Sequence, residues 1–447
     1  MTNEMKEQVF VENQLHSEIF FKDRIAELED KIAEQANKFS DISTIGTVIT
    51  SIIELEKILP VVMESLLSII NAEVGRMVIF SDTGKVTSSI SWGISEEITD
   101  SIINNEGMNI GSYIFKTREM LEIYDMASDR HWRVESEYAH IKSLMALPLF
   151  ARNQIVGAII VANKINGPHF DGDDFFSLEM IARFAAVAIE NSNLHARAVA
   201  QQKMETDLEI ARQLQKALMP DNVMDFDRMK INAFNSMAMQ VGGDFYDVVK
   251  LTSDKFILIV ADVSNKGFPA SLLMSSARSL FRAYVNETDS LSEVMANVNE
   301  QLCNDSAMLK GMFVTAIMVY LDFKTGILKA VNAGHPPGWV SLPDGTIQNL
   351  KSGGPFIGQF PGMKYVEQTI PLIPGSRIFI YTDGAFECVD NSGKMLGLRG
   401  LRDFFEKNHR LPTETFIDKL TAMLDNYSAD PDWIDDTTYL LAEIKRL

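Results

Sequence analysis

Two apolar runs in the second half of this 447-residue chain each end in an aspartate. The run from Phe256 to Ala261 leads into Asp262, and the strand-like run from Arg377 to Thr382 leads into Asp383. A turn follows each aspartate, because DVSNKG follows the first run and an Asp-Gly pair the second. A buried strand that delivers a carboxylate at its end is a common way to build a site. For each aspartate alone, ordinary turn chemistry is the competing interpretation.

Two further motifs carry paired aspartates. VGGDFYDVV places Asp244 and Asp247 directly after two glycines, and Asp435 and Asp436 stand immediately before the strand-like TTYLLAEI. Oxygen ligands gathered in this way suit Mg²⁺ or Mn²⁺. Zinc is disfavoured, because the sequence has no CxxC or HExxH motif.

The order of the four motifs is more specific than any one of them. GGDxxD, DVSxKG, TDG and DDTT occur in that order, with ARQLQKALMP before them and NAGHPPG among them. This set resembles the PPM-type metal-dependent serine/threonine phosphatases of the bacterial SpoIIE/RsbU branch, over residues 208–447. The resemblance implies an α+β fold with a two-sheet β-sandwich flanked by helices, and we assign residues 220–447 to this phosphatase domain.

The resemblance also implies a cofactor and its ligands. It predicts two Mn²⁺ or Mg²⁺ ions, held by Asp244, Asp262, the backbone carbonyl of Val263, Asp383 and Asp435. Asp262 is the candidate that bridges the two ions, and Asp262 and Asp383 are the candidate catalytic residues. Asp247 and Asp436 are second-rank ligands.

Two other residues near these motifs keep alternative interpretations. Lys266 follows Asp262 in the turn, where it can face a phosphate or belong to the turn alone; we favour the turn. His335 in NAGHPPG can act as a proton donor or stabilise its loop, and we favour the loop.

Residues 39–194 resemble a GAF domain, a sensing module with an antiparallel sheet and flanking helices. The resemblance rests on LPL, QIVGAIIVANK and the helical pattern that closes the segment. Asn163, Lys164, Phe170 and Asp174 match part of the NKxFxxxDE signature of cyclic-nucleotide-binding GAF domains. Phe175 replaces its glutamate, which weakens the case for a cyclic nucleotide. The GAF ligand stays unknown.

Helical patterns flank the GAF-like segment. Residues 1–38 carry an apolar stripe at near-heptad spacing: Val11, Phe21, Ile25, Leu28 and Ile32. A solvated helix and a short dimerising coiled coil fit this stripe about equally. Residues 195–219 contain no glycine or proline and predict an unbroken, stiff helical linker, with Arg197, Gln201 and Gln215 interrupting its apolar positions. From both segments we predict a homodimer.

The composition of the chain indicates its cellular compartment and disfavours one class of partner. The chain has 41 basic and 61 acidic side chains, a net charge of −20, which disfavours nucleic-acid binding. Its two cysteines suit a reducing cytosol. No signal peptide and no transmembrane run is visible. We therefore expect a cytoplasmic protein without membrane insertion.

These observations predict a GAF-regulated phosphatase of phosphoserine or phosphothreonine in proteins. The resemblance implies a small anti-sigma-factor antagonist of the STAS type as the phosphorylated substrate, with a small molecule or protein as the signal at the GAF domain. Two other functions stay open. The fold can serve as a binding scaffold without turnover, or as a hydrolase of small phosphate esters.

Overall fold

The computed structural model describes residues 3–93, 102–104, 106–133, 140–304, 311–351, 353–428 and 435–447. The chain forms two compact units, residues 1–202 and 203–447. Among the described residues, no helix is both long enough and apolar enough to cross a bilayer.

The first unit is built on an antiparallel sheet. Its elements in chain order are α1 (Asn3–Ser51), α2 (Leu55–Ile70), β1 (Ala72–Phe80), β2 (Val86–Trp92), β3 (Ile103–Asn104), α3 (Ile110–Thr117), β4 (Leu121–Ile123), β5 (Trp132–Arg133), β6 (Leu144–Ala151), β7 (Gln154–Lys164) and α4 (Gly172–Leu218). Five strands pair in the order β2-β1-β7-β6-β4, and β3 pairs with β5. Helix α4 ends in the second unit.

Both faces of this sheet are covered by apolar side chains. On one face, Met77 and Ile159 of the sheet pack with Val62 of α2 and Ile181 of α4. On the other face, Val78 and its neighbours pack against α3 and the segments around it. Burial on both faces explains why β7 contains the continuous apolar run of residues 155–162.

The second unit contains two antiparallel sheets. Its elements are β8 (Val223–Asp225), β9 (Met229–Ser236), β10 (Phe245–Lys250), β11 (Lys255–Val263), α5 (Phe268–Tyr284), α6 (Leu291–Asn304), β12 (Val314–Asp322), β13 (Ile327–Ala333), β14 (Gly338–Ser341), β15 (Ile347–Leu350), β16 (Gln368–Pro371), β17 (Arg377–Tyr381), α7 (Gly384–Glu387), α8 (Gly397–Asn408), α9 (Thr413–Tyr427) and β18 (Thr437–Ile444). The sheet orders are β10-β11-β12-β13-β16 and β15-β14-β17-β18-β9-β8.

Strand β11 shows how the sequence builds the sandwich. Leu258 and Val260 point into the core between the two sheets, where they meet Ile380 of β17 and Leu440 of β18. The alternate residues of β11, such as Ile259, face α5 and α6. Helices α8 and α9 cover the outer face of the other sheet. The predicted α+β class, with a two-sheet sandwich flanked by helices, is confirmed.

The helices around the first unit differ in extent from the predicted segments. Helix α1 continues past residue 38 as far as Ser51, and α4 is one helix through the whole predicted linker apart from Met219. The side chains of Val11 and Phe21 lie outside the described residues. Ile25, Leu28 and Ile32 are exposed on α1. The division at residues 38, 194 and 219 stays a prediction.

Candidate metal centre

The aspartate-bearing segments meet at one end of the sandwich. Strand β10 pairs with β11 so that Phe245 lies opposite Ala261, which brings Asp244 and Asp262 to neighbouring strand ends. In the other sheet, Tyr381 at the end of β17 lies opposite Tyr439 of β18. Asp383 therefore lies close to the residues that precede β18.

Asp244 is the most deeply buried of these acids, with 1% of its surface exposed. Its Oδ2 accepts a 2.6 Å hydrogen bond from the hydroxyl of Thr382. Among the described residues, no donor reaches its Oδ1, which is buried. Burial raises the pKa of Asp244 well above its ordinary value, and the charges of Asp262 and Asp436 raise it further. A buried carboxylate oxygen with no donor is costly unless a cation occupies its free side.

Asp262 and Asp383 share this electrostatic environment. Burial raises the pKa of Asp262 to about 7, and the carboxylates of Asp383 and Asp435 contribute to the rise. Burial raises the pKa of Asp383 to about 6, with contributions from Glu387 and Asp435. Several buried carboxylates whose charges repel one another form a site that gains from positive charge.

Asp435 and Asp436 are adjacent but make different contacts. Oδ1 of Asp435 lies 3.0 Å from Nζ of Lys266, which forms an ion pair with it. Asp436 uses both of its oxygens on the backbone: Oδ1 accepts from the N–H of Ala238 at 2.8 Å, and Oδ2 from the N–H of Gly243 at 2.6 Å. Asp436 thus holds the loop that carries Asp244, whereas Asp435 faces the positive side chain.

The two glycines before Asp244 permit a close approach of three chain segments. A Cβ on Gly242 would lie 2.5 Å from Oδ2 of Asp436. A Cβ on Gly243 would lie 2.8 Å from the carbonyl oxygen of Val263, the predicted backbone ligand. Any larger residue would push the Asp244 loop away from β11, so the glycine pair is a requirement of this geometry.

The structure places Asp247 away from these acids. Its fully buried carboxylate accepts two hydrogen bonds from Arg282 of α5. Nε donates to Oδ2 at 2.6 Å, and Nη2 donates to Oδ1 at 2.8 Å. Nε of Arg278, one helical turn earlier, lies 3.2 Å from Oδ2. Asp247 therefore joins α5 to β10. The helical spacing of the two arginines is the signal in the sequence that could have indicated this role.

His335 is buried, with 4% of its surface exposed. Its Nδ1 lies 2.8 Å from the hydroxyl of Thr315, and its backbone N–H donates to the side-chain oxygen of Asn332. Burial lowers its pKa to about 3, so the ring is neutral at physiological pH. These contacts favour the loop-stabilising interpretation over a proton donor.

The acidic donor set fits hard divalent cations. Within the described ranges, no three acidic, histidine or cysteine side chains already surround one point at coordinating distance. The free Oδ1 of Asp244 and the raised pKa values of Asp262 and Asp383 nevertheless match oxygen-ligated Mg²⁺ or Mn²⁺. Small side-chain rotations would bring these carboxylates onto an ion.

Family comparisons agree with this architecture. Residues 252–445 match the family model described as Stage II sporulation protein E (SpoIIE), and residues 54–189 match the GAF domain model. The chain therefore contains a GAF domain followed by a SpoIIE-type domain. The four motif-bearing segments of the metal centre fall within or directly before the SpoIIE-type domain.

Three curated relatives match parts of this chain. Protein IcfG of Synechocystis sp. is 25% identical over 72% of this chain and 54% of its own length. Phosphoserine phosphatase RsbP of Bacillus subtilis is 24% identical over 54% of this chain and 58% of its own length. Phosphoserine phosphatase RsbU of the same organism is 26% identical over 49% of this chain and 64% of its own length. The chain thus spans less than two thirds of each relative.

Two contacts of the second unit were not predicted from the sequence. One is the hydrogen bond from Thr382 to Asp244. The other joins the side chain of Gln215, near the end of α4, to the backbone of Gly242. Gln215 was visible only as a polar interruption among apolar helix positions, whereas Thr382 was part of the TDG motif.

Proposed function

We propose that this protein is a metal-dependent protein-serine/threonine phosphatase. The observation that carries the proposal is the buried Oδ1 of Asp244 beside Asp262 and Asp383, which no donor of the described residues reaches. Asp244, Asp262, Asp383, Asp435 and the carbonyl of Val263 would hold two Mn²⁺ or Mg²⁺ ions. Such ions supply an activated water and positive charge against phosphoryl oxygens.

Neighbouring side chains hold the proposed metal ligands in position. Asp436 fixes the Gly242–Gly243 loop through two backbone N–H groups. Thr382 holds one oxygen of Asp244. Lys266 lies at the exposed edge of the site on Asp435, where its ammonium can meet a phosphate. Asp262 and Asp383 remain the proposed catalytic residues.

The proposed substrate is a phosphorylated regulatory protein, and an anti-sigma-factor antagonist of the STAS type is our specific candidate. Two relatives, RsbP and RsbU, carry the name phosphoserine phosphatase, which supports phosphoserine as the group that is hydrolysed. The net charge of −20 requires that docking depend on a local patch. We place the activity in the cytoplasm, because the two cysteines are free.

We propose that the GAF domain gates the metal centre through helix α4. An unbroken helix is stiff and transmits rotation or register, which a glycine-rich linker would lose. Near its C-terminal end, Gln215 bonds the backbone of Gly242, two residues before Asp244. A displacement of α4 would therefore act on the loop that carries a metal ligand.

We also propose a homodimer, formed along the exposed apolar positions of the long helices. Ile25 and Ile32 of α1 are 54% and 65% exposed, and Met204 of α4 is 65% exposed. Apolar residues at such spacing are stabilised when a second helix covers them. Light scattering that finds a monomer at micromolar concentration would contradict this proposal.

A hydrolysis assay tests the function. Phosphate release from a phosphoserine protein would be compared with release from p-nitrophenyl phosphate, using the full chain with Mn²⁺, with EDTA, and with Asp262→Asn. The proposal expects turnover that needs Mn²⁺, is lost in the variant, and favours the protein. Mn²⁺ binding without hydrolysis would favour the scaffold, and equal rates on both substrates would favour a small-ester hydrolase.

A further inference from the structure

Thr382 lies between the last residue of β17 and Asp383, and none of its surface is exposed. Its backbone N–H donates to the carbonyl oxygen of Thr438 at 2.9 Å, which continues the pairing of β17 with β18. Its hydroxyl makes two further short contacts, to Oδ2 of Asp244 at 2.6 Å and to the backbone N–H of Thr438 at 2.9 Å. Thr382 thus joins its own motif-bearing segment to two others, those of Asp244 and Thr438.

The direction of these hydrogen bonds follows from counting protons. A hydroxyl has one proton to donate and two lone pairs. The N–H of Thr438 can only donate, so the hydroxyl accepts that bond. Its single proton then goes to the carboxylate of Asp244 at 2.6 Å in preference to the carbonyl of Thr438 at 3.3 Å. The 2.6 Å distance lies in the normal range for an O–H···O hydrogen bond, whereas 3.3 Å lies beyond it.

This bond leaves the two oxygens of Asp244 in different states. Oδ2 is held by the hydroxyl, whereas Oδ1 is buried and receives no hydrogen bond from the part of the chain that the structure describes. Since the carboxylate is planar, fixing Oδ2 also fixes the direction of Oδ1. The neighbouring charges that act on Asp244 come from Asp262, Asp436 and Asp383.

We propose that Thr382 is a positioning residue for the metal centre. Its hydroxyl selects the orientation of Asp244 in which Oδ1 is available to a divalent cation. The N–H of Thr438 in turn sets the orientation of the hydroxyl. This inference rests on the proposed function, because it assigns a role toward the same ions.

The proposed role requires a side chain with a hydroxyl group at position 382. Serine supplies the same donor and acceptor, so Thr382→Ser should keep both hydrogen bonds. Valine has nearly the same shape and no hydroxyl, so Thr382→Val should leave Asp244 free to rotate. The N–H of Thr438 would also lose its acceptor, so the stability of each variant must be measured separately.

Titration calorimetry of Mn²⁺ binding to the full chain tests the proposal without requiring turnover. We expect Thr382→Val to weaken Mn²⁺ affinity about tenfold or more, the loss typical of partners that orient metal ligands. Thr382→Ser should stay within about threefold of the wild type. The melting temperature in EDTA gives the structural cost of each substitution.

A double-mutant cycle isolates the contact with Asp244. In an Asp244→Ala background, Thr382→Val should cause no further loss of Mn²⁺ affinity. Wild-type affinity in Thr382→Val, or a further loss of the same size in the Asp244→Ala background, would overturn the proposal. If Thr382→Val does not fold, Thr382→Cys replaces it, since a thiol is a weak donor, and it should bind Mn²⁺ more weakly than Thr382→Ser.

The outcomes separate this inference from the proposed function. If the wild-type chain itself binds no Mn²⁺, the proposed metal-dependent function fails. If the wild type binds Mn²⁺ and Thr382→Val binds it equally well, only the positioning role fails.

Discussion

Gln215 directs both ends of its side-chain amide to one residue, Gly242. Its Nε2 donates to the carbonyl oxygen of Gly242 at 2.6 Å, and its Oε1 accepts from the N–H of Gly242 at 3.1 Å. Gln215 has 4% of its surface exposed. The next residue, Gly243, is held by Asp436, and Asp244 follows. The last turn of α4 is therefore bonded to the loop of the metal centre.

We predict that Gln215→Leu weakens Mn²⁺ binding at least severalfold. The substitution leaves the N–H and C=O of Gly242 without partners, at a cost of about 1–3 kcal/mol for each buried group. The loop should relax and displace Asp244. Calorimetric titration with Mn²⁺ measures the change. Gln213→Leu is the matched control, because Gln213 is exposed and its side chain bonds the exposed Glu209. Equal effects of the two variants would contradict the prediction.

Replacing Asp247 should destabilise the domain without removing metal binding. Asp247→Asn removes the charge of a fully buried carboxylate that pairs with the buried Arg278 and the half-exposed Arg282, and removing one partner of a buried pair typically costs about 3–5 kcal/mol. Asp254→Asn is the control: its pair with Arg228 is partly exposed, and such pairs contribute about 1 kcal/mol or less. Denaturant unfolding measures both variants. Loss of Mn²⁺ binding in Asp247→Asn at unchanged stability would return Asp247 to the ligand set.

The metal-free protein should become less stable as the pH rises from about 5 to 8. The folded-state pKa is about 7 for Asp262 and about 6 for Asp383, both above the usual aspartate value. The folded state therefore binds more protons than the unfolded state in this window, so the free energy of unfolding falls as these protons leave. Melting temperatures in EDTA measure the trend.

Asp262→Asn provides the control for this pH dependence. The amide cannot ionise, so the decline in melting temperature should be smaller in the variant than in the wild type. Added Mn²⁺ should raise the wild-type melting temperature more at pH 8 than at pH 5.5. A melting temperature in EDTA that rises with pH, equally in both proteins, would contradict the account.

The adjacent acids Asp435 and Asp436 should respond differently to amide substitution. Asp436→Asn brings an NH₂ group against the N–H of Ala238 or Gly243, so we expect a lower melting temperature in EDTA. Asp435→Asn removes a proposed ligand and weakens the pair with Lys266, so it should reduce Mn²⁺ affinity with little loss of stability. Thermal unfolding and calorimetry on both variants check this, and the reverse pattern would exchange their roles.

The strands that carry the acids were predictable because their signals are local. β11 was predicted from Phe256 to Asp262 and runs from Lys255 to Val263, since an apolar run covered on both faces needs no distant information. The partner of Asp247 was not predictable in this way. Arg278 and Arg282 lie more than thirty residues along the chain, and only the packing of α5 on β10 brings them together.

The polar residues that orient the ligands were the hardest to predict. Gln215 interrupts a helical apolar pattern. The hydrogen-bond partner of its amide, the backbone of Gly242, is adjacent only in the folded structure. Thr382 was read as part of a strand end, although its hydroxyl links Asp244 to Thr438 across two sheets. Such contacts depend on atomic distances between segments that are far apart in the sequence. Thr382 and Asp244, for example, are 138 residues apart.

Anomalous diffraction from crystals of the full chain grown with Mn²⁺ would test the central claim most directly. The account predicts two strong anomalous peaks at the sandwich end, in contact with Asp244, Asp262 and Asp383, with Oδ1 of Asp244 as a ligand. Both peaks should vanish in crystals of Asp262→Asn that retain the fold. Fully occupied Mn²⁺ elsewhere on the chain, with these carboxylates free of metal, would contradict it.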